Sequence, residues 1–323
     1  MAFALEENEE LSVAVTRIAV EQIDLALEHL NAASEDLNKS IHATRQGLKR
    51  IRALLTLARG ELGDKVFERE WACYRSAGRL LAGARDATVI VETFDALIGR
   101  FSSELSADAF AKERRFLVER RETRLKTSVE EEKALEKAGE MIASARKRVA
   151  SWPVKRAGFK AIRPGLHRSY RAGREGLRSV VRHPSPTNFH EWRRPVKMLW
   201  HELQILTPIW PIILNAYADE LHSLSDRLNE NHDLDVLRHA ALWSELKTQP
   251  GHRQTLVRFV ERRCRQLEAE ALPLGRRLYS ERPSVFTDRL ESFWKTWRHL
   301  NSGGATDSDS KSQIAVSTGP SYV

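Results

Sequence analysis

Cysteine is scarce in this chain of 323 residues, and its scarcity excludes two kinds of architecture. Cys73 and Cys264 are the only two cysteines, and they belong to no Cys-x-x-Cys pair. A disulfide-stabilised scaffold and a zinc ribbon both require more thiols at closer spacing. Two isolated thiols suit the reducing cytosol, so we expect a cytoplasmic protein.

Long apolar runs are also missing. The longest covers residues 205–217, is broken by Pro208 and Pro211, and is too short to cross a bilayer. The first ten residues are acidic, unlike a secretory signal or a transit peptide. We therefore expect a soluble protein without a membrane partner.

Short catalytic motifs are absent as well. The chain has no Walker A loop, no Gly-x-Gly-x-x-Gly, no Gly-x-Ser-x-Gly and no His-Glu-x-x-His. His232-Asp233 is similar to a pair found in metal-dependent phosphohydrolases, but the further ligands of such a site are not evident. We predict a binding module rather than an enzyme, with no metal and no cofactor.

Positive charge is what the chain has in excess. It carries 52 Lys and Arg against 44 Asp and Glu, a formal net charge of +8, while its 41% of hydrophobic residues is typical of a globular protein. Such an excess favours a polyanionic partner, which could be nucleic acid, anionic lipid or a phosphate polymer.

Apolar residues recur at i, i+3, i+4 and i+7 almost throughout, and this spacing predicts an all-α protein. The stripe that begins at Leu11 marks the first helix. Further helices are predicted over residues 38–59, 66–81, 88–100, 108–125, 129–150, 165–182, 188–206, 212–228, 234–247, 252–271 and 285–299.

The predicted organisation is one large domain between two short terminal segments. Residues 1–10 form an acidic N-terminal segment, and residues 301–323, rich in Ser, Gly, Thr and Asp, form a tail that we expect to be disordered. The domain, residues 11–300, divides into halves at 11–150 and 165–300. Two prolines and two glycines within residues 152–165 indicate a break in the helical pattern, and we place the linker between the halves at residues 151–164.

The two halves carry the same basic pattern on one helix each. His, Arg and Lys recur at i, i+3 and i+7, as His42, Arg45 and Lys49 in the first half and as His190, Arg193 and Lys197 in the second. At about 100° per residue these positions share one narrow helix face. An apolar stripe lies beside each face.

A second match follows downstream. Asp86 lies 44 residues after His42, and Asp233 lies 43 residues after His190, within the segments Arg85-Asp86 and His232-Asp233. We interpret the repeated helix and the repeated distant Asp as an internal duplication.

These motifs resemble the conserved histidine α-helical domain family, abbreviated CHAD. The resemblance covers roughly residues 11–300, including both His-x-x-Arg-x-x-x-Lys helices and the stretch Gly165-Leu-x-x-x-Tyr170-x-x-Gly173-Arg174. It implies two four-helix-bundle halves around a pseudo-twofold axis, with a basic cavity or groove that binds inorganic polyphosphate. Some members also carry a triphosphate-tunnel domain with a Glu-x-Glu-x-Lys signature. That signature is absent here, so the chain is similar to stand-alone members.

A phosphate polymer offers charge but no base or apolar surface, so its receptor needs closely spaced Arg and Lys on a rigid scaffold. Residues 142–200 hold fifteen Lys or Arg against two acids, and four of these arginines recur at three- and four-residue spacing. The predicted polyphosphate-binding residues are Lys39, His42, Arg45, Lys49, Arg52, Arg75, Arg79, Arg168, Arg171, Arg174, Arg178, His190, Arg193, Arg194 and Lys197. We use α6 for the helix predicted over residues 165–182, call its Arg168, Arg171, Arg174 and Arg178 the α6 ridge, and predict that no acid at i+4 neutralises this ridge.

Several alternatives stay open at this stage. The basic faces could bind nucleic acid instead, or the protein could process polyphosphate as an enzyme. Asp86 and Asp233 are expected to cap a helix or to hold an Arg. Pro195 is expected to kink the second basic helix if Thr187 is its cap.

Further expectations concern individual side chains. Trp192 and Trp200 are expected to pack inside the bundle, and the histidines could either donate to phosphate or orient an Arg. Arg262 and Arg263 are expected to be ordinary surface residues. Association with polyphosphate granules is the expected consequence of polyphosphate binding.

Overall fold

The computed structural model describes residues 3–34, 36–104, 107–127, 133–155, 158–242 and 250–303. Within these ranges the chain forms ten α-helices, a few short 3-10 helices and no strand, which confirms the predicted all-α class. The helices are α1 (Leu11–Asn31), α2 (Leu37–Leu80), α3 (Ala82–Arg100), α4 (Ala111–Lys126), α5 (Ala134–Arg148), α6 (Arg163–Arg182), α7 (Pro186–Leu206), α8 (Pro211–Leu242), α9 (Pro250–Leu278) and α10 (Pro283–Gly303).

Most predicted helices are found within a few residues of their expected bounds, but the C-terminal half of the chain differs from the prediction in two ways. The helices predicted over 212–228 and 234–247 are one continuous helix as far as Leu242, and residues 243–249 lie outside the described residues. The last helix extends to Gly303, three residues into the predicted tail. The rest of the tail, residues 304–323, lies outside the described residues.

A single glycine divides α2 into two arms. Gly63 has φ 70° and ψ 158°, a left-handed backbone conformation that a side chain would disfavour. The first arm, residues 37–62, and the second arm, residues 64–80, run side by side in opposite directions. Arg45 near the start of the first arm therefore donates to the carbonyl oxygen of Gly78 near the end of the second.

Two hydrophobic cores hold the helices together. The larger core joins α1, both arms of α2 and α5 to α6, α7, the first part of α8 and α10. The smaller core joins α3 and α4 to the last part of α8 and the first part of α9. Each core therefore contains side chains from before and after the predicted linker. The internal duplication remains a prediction.

Close packing explains the glycines and the tyrosine of α6. A Cβ atom on Gly165 would clash with the carbonyl group of Leu57, and one on Gly173 would clash with the ring of Tyr279. Tyr170 is buried and donates to the carbonyl oxygen of Leu278 at 3.1 Å. These residues seat α6 against α2 and α9, so this part of the family resemblance reflects packing.

Trp192 of α7 is fully buried, as expected. A Cβ atom on Gly176 or on Gly275 would come within 2.5 Å of its indole ring, so both glycines make room for it. This packing fixes the rotation of α7, and with it the direction of the basic face on the same helix.

Candidate functional site

The basic faces of α2 and α7 meet where these two helices approach α3 and α8. Lys49 of the first arm feels the charges of Lys197 and Arg193 of α7 as well as those of its helix neighbours Arg45 and Arg52. We call Arg45, Lys49, Arg52, Arg193 and Lys197 the cationic cluster. All five side chains are partly buried. The structure therefore brings together the two faces that the repeat predicted separately.

The surroundings of the cluster disfavour the positively charged forms of its five side chains. Burial, reinforced by the neighbouring cations, lowers the pKa of Lys49 to about 6 and that of Lys197 to about 8. Burial and the charges of Arg45 and Arg75 lower the pKa of Arg52 to about 10. The pKa of Arg45 and that of Arg193 are lowered as well, chiefly by burial. An anion bound at the cluster would stabilise the charged forms and offset the cost of keeping these side chains protonated.

The cluster lacks the counterions that other arginines of the chain have. Elsewhere Arg146 pairs with Asp24 at 2.7 Å and Arg148 with Glu70 at 2.8 Å. Among the residues that the structure describes, no carboxylate lies within 4.0 Å of a charged nitrogen of the five cluster side chains. The cluster is therefore a set of unpaired cations that retain donors for a ligand.

Three acids act on the cluster from a greater distance. Asp86 acts on Arg45 and Arg193, Asp233 acts on Arg193 and Lys197, and Asp226 acts on Lys197. Burial raises the pKa of Asp233 to about 6, against the opposing effect of the neighbouring cations. Of the two roles expected for Asp86 and Asp233, capping a helix is wrong, because α3 begins at Ala82 and α8 at Pro211, so both acids lie inside helices. Their charges act instead on arginines of the cluster.

The second arm of α2 contributes one side of the site. The guanidinium groups of Arg52 and Arg75 both lie over the ring of Trp71, at 5.6 Å and 5.3 Å from its centroid. Arg79, one turn beyond Arg75, is exposed. Lys39 is also exposed, at the beginning of the first arm, where its backbone amide donates to the side chain of Asp36 at 3.0 Å.

The histidines occupy one end of the cluster. His42 is exposed and lies near Arg85, whose charge lowers its pKa after the larger effect of burial. His190 contacts His232 through their Nδ1 atoms at 2.6 Å, and Arg194 lies 3.4 Å from the Nε2 atom of His190. Arg85 and His232, which align in the repeat, thus each lie beside the histidine of their own half.

The α6 ridge lies apart from the cationic cluster. The charges that act most strongly on Lys49 and Lys197 come from α2, α7 and α8, not from α6. Arg168 instead lies near Arg59 and the buried Glu202, and Arg174 donates to the carbonyl oxygen of Tyr279 at 3.2 Å.

The prediction that the ridge has no acidic partner at i+4 is wrong. Arg171 pairs with Glu175 at i+4, with Nε and Oε1 2.8 Å apart. The ridge therefore does have an acidic partner on its own helix. Arg178 is exposed.

The second basic helix begins earlier than expected and does not end at Pro195. Its cap is Ser185 rather than Thr187, and the Ser185 hydroxyl oxygen accepts from the amide of Asn188 at 3.2 Å. The helix continues through Pro195 to Leu206, and Arg193 and Lys197 both reach the cluster.

The residues that follow Lys197 on α7 do not extend its basic face. Burial lowers the pKa of His201 to about 3, so that side chain is neutral. Trp200 is partly buried and stacks on His222, with the ring centroids 4.2 Å apart.

Sequence reasoning missed two cations that adjoin the site. Arg85 of α3 acts on His42, Arg45 and Asp233. Its alignment with His232 was a usable signal. Arg50 lies on the other flank of the first arm, with a buried Nε atom that has no hydrogen-bond partner and its guanidinium over the ring of Phe3 at 5.4 Å. No motif marked it, because it falls outside the i, i+3, i+7 face.

Among the described residues, no group of three or more His, Cys, Asp and Glu side chains is placed to hold a metal ion. In the same ranges, no helix is both long enough and apolar enough to cross a membrane.

The fold and the site define an all-helical protein in which two basic helices meet in a partly buried cationic cluster. The model of the CHAD domain matches residues 17–242, more than half of the chain. The chain therefore belongs to the CHAD domain family.

The fold also has a solved relative. PptA from Streptomyces chartreusis superposes with a TM-score of 0.59 over 84% of this chain and 100% of that chain, at 16% sequence identity. At this identity the likeness concerns the fold. No curated protein sequence matches the chain.

Proposed function

We propose that this protein binds inorganic polyphosphate at the cationic cluster and acts as a binding module rather than an enzyme. The CHAD domain family is known for polyphosphate binding. In this chain the proposal is supported above all by five partly buried Arg and Lys side chains that have no carboxylate partner within 4.0 Å among the described residues.

The chemistry of the cluster suits a phosphate chain. Arginine presents a planar fork that can donate two hydrogen bonds to one phosphate, whereas lysine acts as a compact charge. Cations on two packed helices are held in place before the ligand arrives, so binding orders few side chains. A charged polymer also releases counterions when it binds, which makes affinity depend on salt.

The direct test is polyphosphate affinity in variants of the cluster. Arg45→Ala combined with Lys49→Ala removes two side chains that both carry positive charge when an anion is bound, and should weaken binding at least tenfold while the helical circular dichroism spectrum is retained. Arg146→Ala combined with Arg262→Ala is the matched control. It removes two positive charges outside the cluster, from Arg146 and Arg262, which pair with the exposed acids Asp24 and Glu104 respectively.

The control should retain most of the wild-type affinity. If both double variants bind alike, general positive charge rather than the cluster accounts for binding, and the proposal fails in its present form.

Competition with RNA separates polyphosphate binding from nucleic-acid binding. The aromatic rings near the clustered cations already have partners, because Trp71 contacts Arg52 and Arg75, and Trp200 stacks on His222. Single-stranded nucleic acid is usually held on open aromatic faces. Long RNA should therefore displace the protein from polyphosphate poorly at equal phosphate concentration. Efficient displacement would favour nucleic acid as the partner.

The remaining parts of the proposal concern catalysis and location. Incubation of the protein with polyphosphate and Mg²⁺ or Mn²⁺ should leave the chain length unchanged on a gel. A fluorescent fusion should collect on polyphosphate granules in cells that make them, and the Arg45→Ala, Lys49→Ala variant should not. Shortened or lengthened chains would identify an enzyme, and a diffuse wild-type signal would argue against granule targeting.

A further inference from the structure

Trp71 connects the two arms of α2 beside the cationic cluster. Its ring lies 5.6 Å from the guanidinium carbon of Arg52 on the first arm and 5.3 Å from that of Arg75 on its own arm. The ring is partly buried and packs against the larger hydrophobic core. One aromatic side chain of fixed orientation thus contacts two arginines.

The two arginines repel each other, and no described acid compensates for it. The charge of Arg75 contributes to the lowered pKa of Arg52, after burial and the charge of Arg45. Within the described ranges neither arginine has a carboxylate within 4.0 Å. The negative face of an indole ring attracts a guanidinium group, so Trp71 offsets part of this repulsion.

The contact with the ring leaves donors available on both side chains. Arg52 uses Nε to donate to the carbonyl oxygen of Leu48 at 3.3 Å, which leaves its terminal nitrogens unused. Arg75 is exposed and makes no hydrogen bond with another described residue. The terminal nitrogens of two arginines that contact one ring are therefore available to an anion that binds beside that ring.

We propose that Trp71 is a positioning residue that holds Arg52 and Arg75 together as a pair for one phosphate group of the bound polyanion. This inference rests on the proposed function, since it concerns how the same site holds its ligand. Trp71 itself contributes no charge and no direct contact with phosphate. Its effect on affinity acts through the two arginines.

A double-mutant cycle with long-chain polyphosphate tests the pairing. Trp71→Leu keeps every charge and should weaken binding about threefold to tenfold, the range expected for loss of cation–π contacts. Arg75→Ala should weaken binding by a similar factor and reduce the salt dependence of the affinity. In the double variant Trp71→Leu should weaken binding by a clearly smaller factor than it does in the wild type, because without Arg75 the ring positions Arg52 alone.

Three controls keep the test specific. Trp71→Phe retains an aromatic face and should restore most of the affinity. Trp210→Leu removes an exposed indole just before α8, which meets the ring of Phe293 edge to face, and should leave the affinity unchanged. Arg79→Ala lies one turn beyond Arg75 on the same arm, away from the ring, so its effect should add to that of Trp71→Leu.

The outcomes separate this inference from the proposed function. If the wild-type protein does not bind polyphosphate, the proposed function and the inference both fail. If it binds but the effects of Trp71→Leu and Arg75→Ala multiply, or Trp71→Leu has no effect, the inference alone is overturned. Should Trp71→Leu unfold, the cycle of Trp71→Phe with Arg75→Ala decides: additive effects overturn the pairing, and non-additive effects support it.

Discussion

His190 and His232 share one hydrogen bond between their Nδ1 atoms, which lie 2.6 Å apart. Arg194 lies 3.4 Å from the Nε2 atom of His190, and because arginine can only donate, that Nε2 atom is an acceptor. The Nδ1 atom of His190 therefore carries the hydrogen and donates to His232. His232 keeps its own hydrogen on Nε2, where it can donate to a ligand. Both imidazoles are neutral in this arrangement.

The histidine pair predicts an unusual titration for His232. Burial, followed by the charges of Arg193 and His190, lowers its pKa to about 4. We expect its ring signals in NMR spectra to titrate near that pH in the free protein and at a higher pH with polyphosphate bound. The spectrum of His232→Gln assigns the signals. A titration near the ordinary value of about 6.5 in the free protein would contradict the placement of His232 in a buried position beside Arg193 and His190.

Lys49 predicts that polyphosphate binding takes up protons. Its pKa of about 6 in the free protein leaves most of it neutral at pH 7.5, and a bound anion must raise that pKa. Affinity should therefore fall as the pH rises above about 6, by at most about tenfold per pH unit for each proton taken up.

Calorimetry in two buffers with different ionisation enthalpies measures this uptake. Lys49→Met should abolish most of it, whereas Arg262→Ala should not change it. Equal heats in the two buffers at pH 7.5 would contradict the prediction.

Lys49 also predicts a conflict between stability and binding. A lysine whose pKa is lower in the folded than in the unfolded chain destabilises the fold below the unfolded pKa of about 10.4, and increasingly so as the pH falls toward 6. Lys49→Met should therefore raise the free energy of unfolding at pH 7 by about 1 kcal/mol or more, while weakening polyphosphate binding.

Urea unfolding of wild type and Lys49→Met at pH 7 and pH 9.5 checks this prediction. The difference between the two proteins should be smaller at the higher pH. A variant that is less stable than wild type at pH 7 would argue that the lysine is not held in an unfavourable environment.

Substitution of Gly165 is predicted to change the stability of the fold. A methyl group at this position would clash with the carbonyl group of Leu57, where α6 packs against the first arm of α2. Gly165→Ala should therefore destabilise the fold by about 1–3 kcal/mol, the usual cost of overpacking. Gly99→Ala is the control, because a Cβ atom there meets nothing within 4 Å. Thermal unfolding of both variants distinguishes the two sites, and equal midpoints would contradict the close approach.

Periodicity predicted the helices, because an apolar stripe must face a core wherever the helix lies. It failed within α8, where Asn229, Asn231 and Asp233 look like a break between two helices. Asn231 is in fact buried and donates to Glu268 of α9 at 3.3 Å. In the local sequence such polar residues indicate a turn, but here a hydrogen bond to a helix distant in sequence satisfies the side chain within a continuous helix.

The repeat predicted which side chains belong to the basic faces but not how the faces are arranged. Lys49 and Lys197 come together only because α2 and α7 pack against each other, and spacing within one helix carries no such information. The same limit explains the α6 ridge, whose arginines have a shared face and yet lie apart from the cluster. Arg85 lies at the site because of where α3 packs. Trp71 lies there because α2 reverses direction at Gly63.

A crystal structure of the protein soaked with polyphosphate tests the central claim most directly. Phosphate groups should lie within hydrogen-bond distance of Arg45, Lys49, Arg193 and Lys197, with one phosphate between Arg52 and Arg75. A chain bound along Arg168, Arg171, Arg174 and Arg178, with the cationic cluster left empty, would contradict the account.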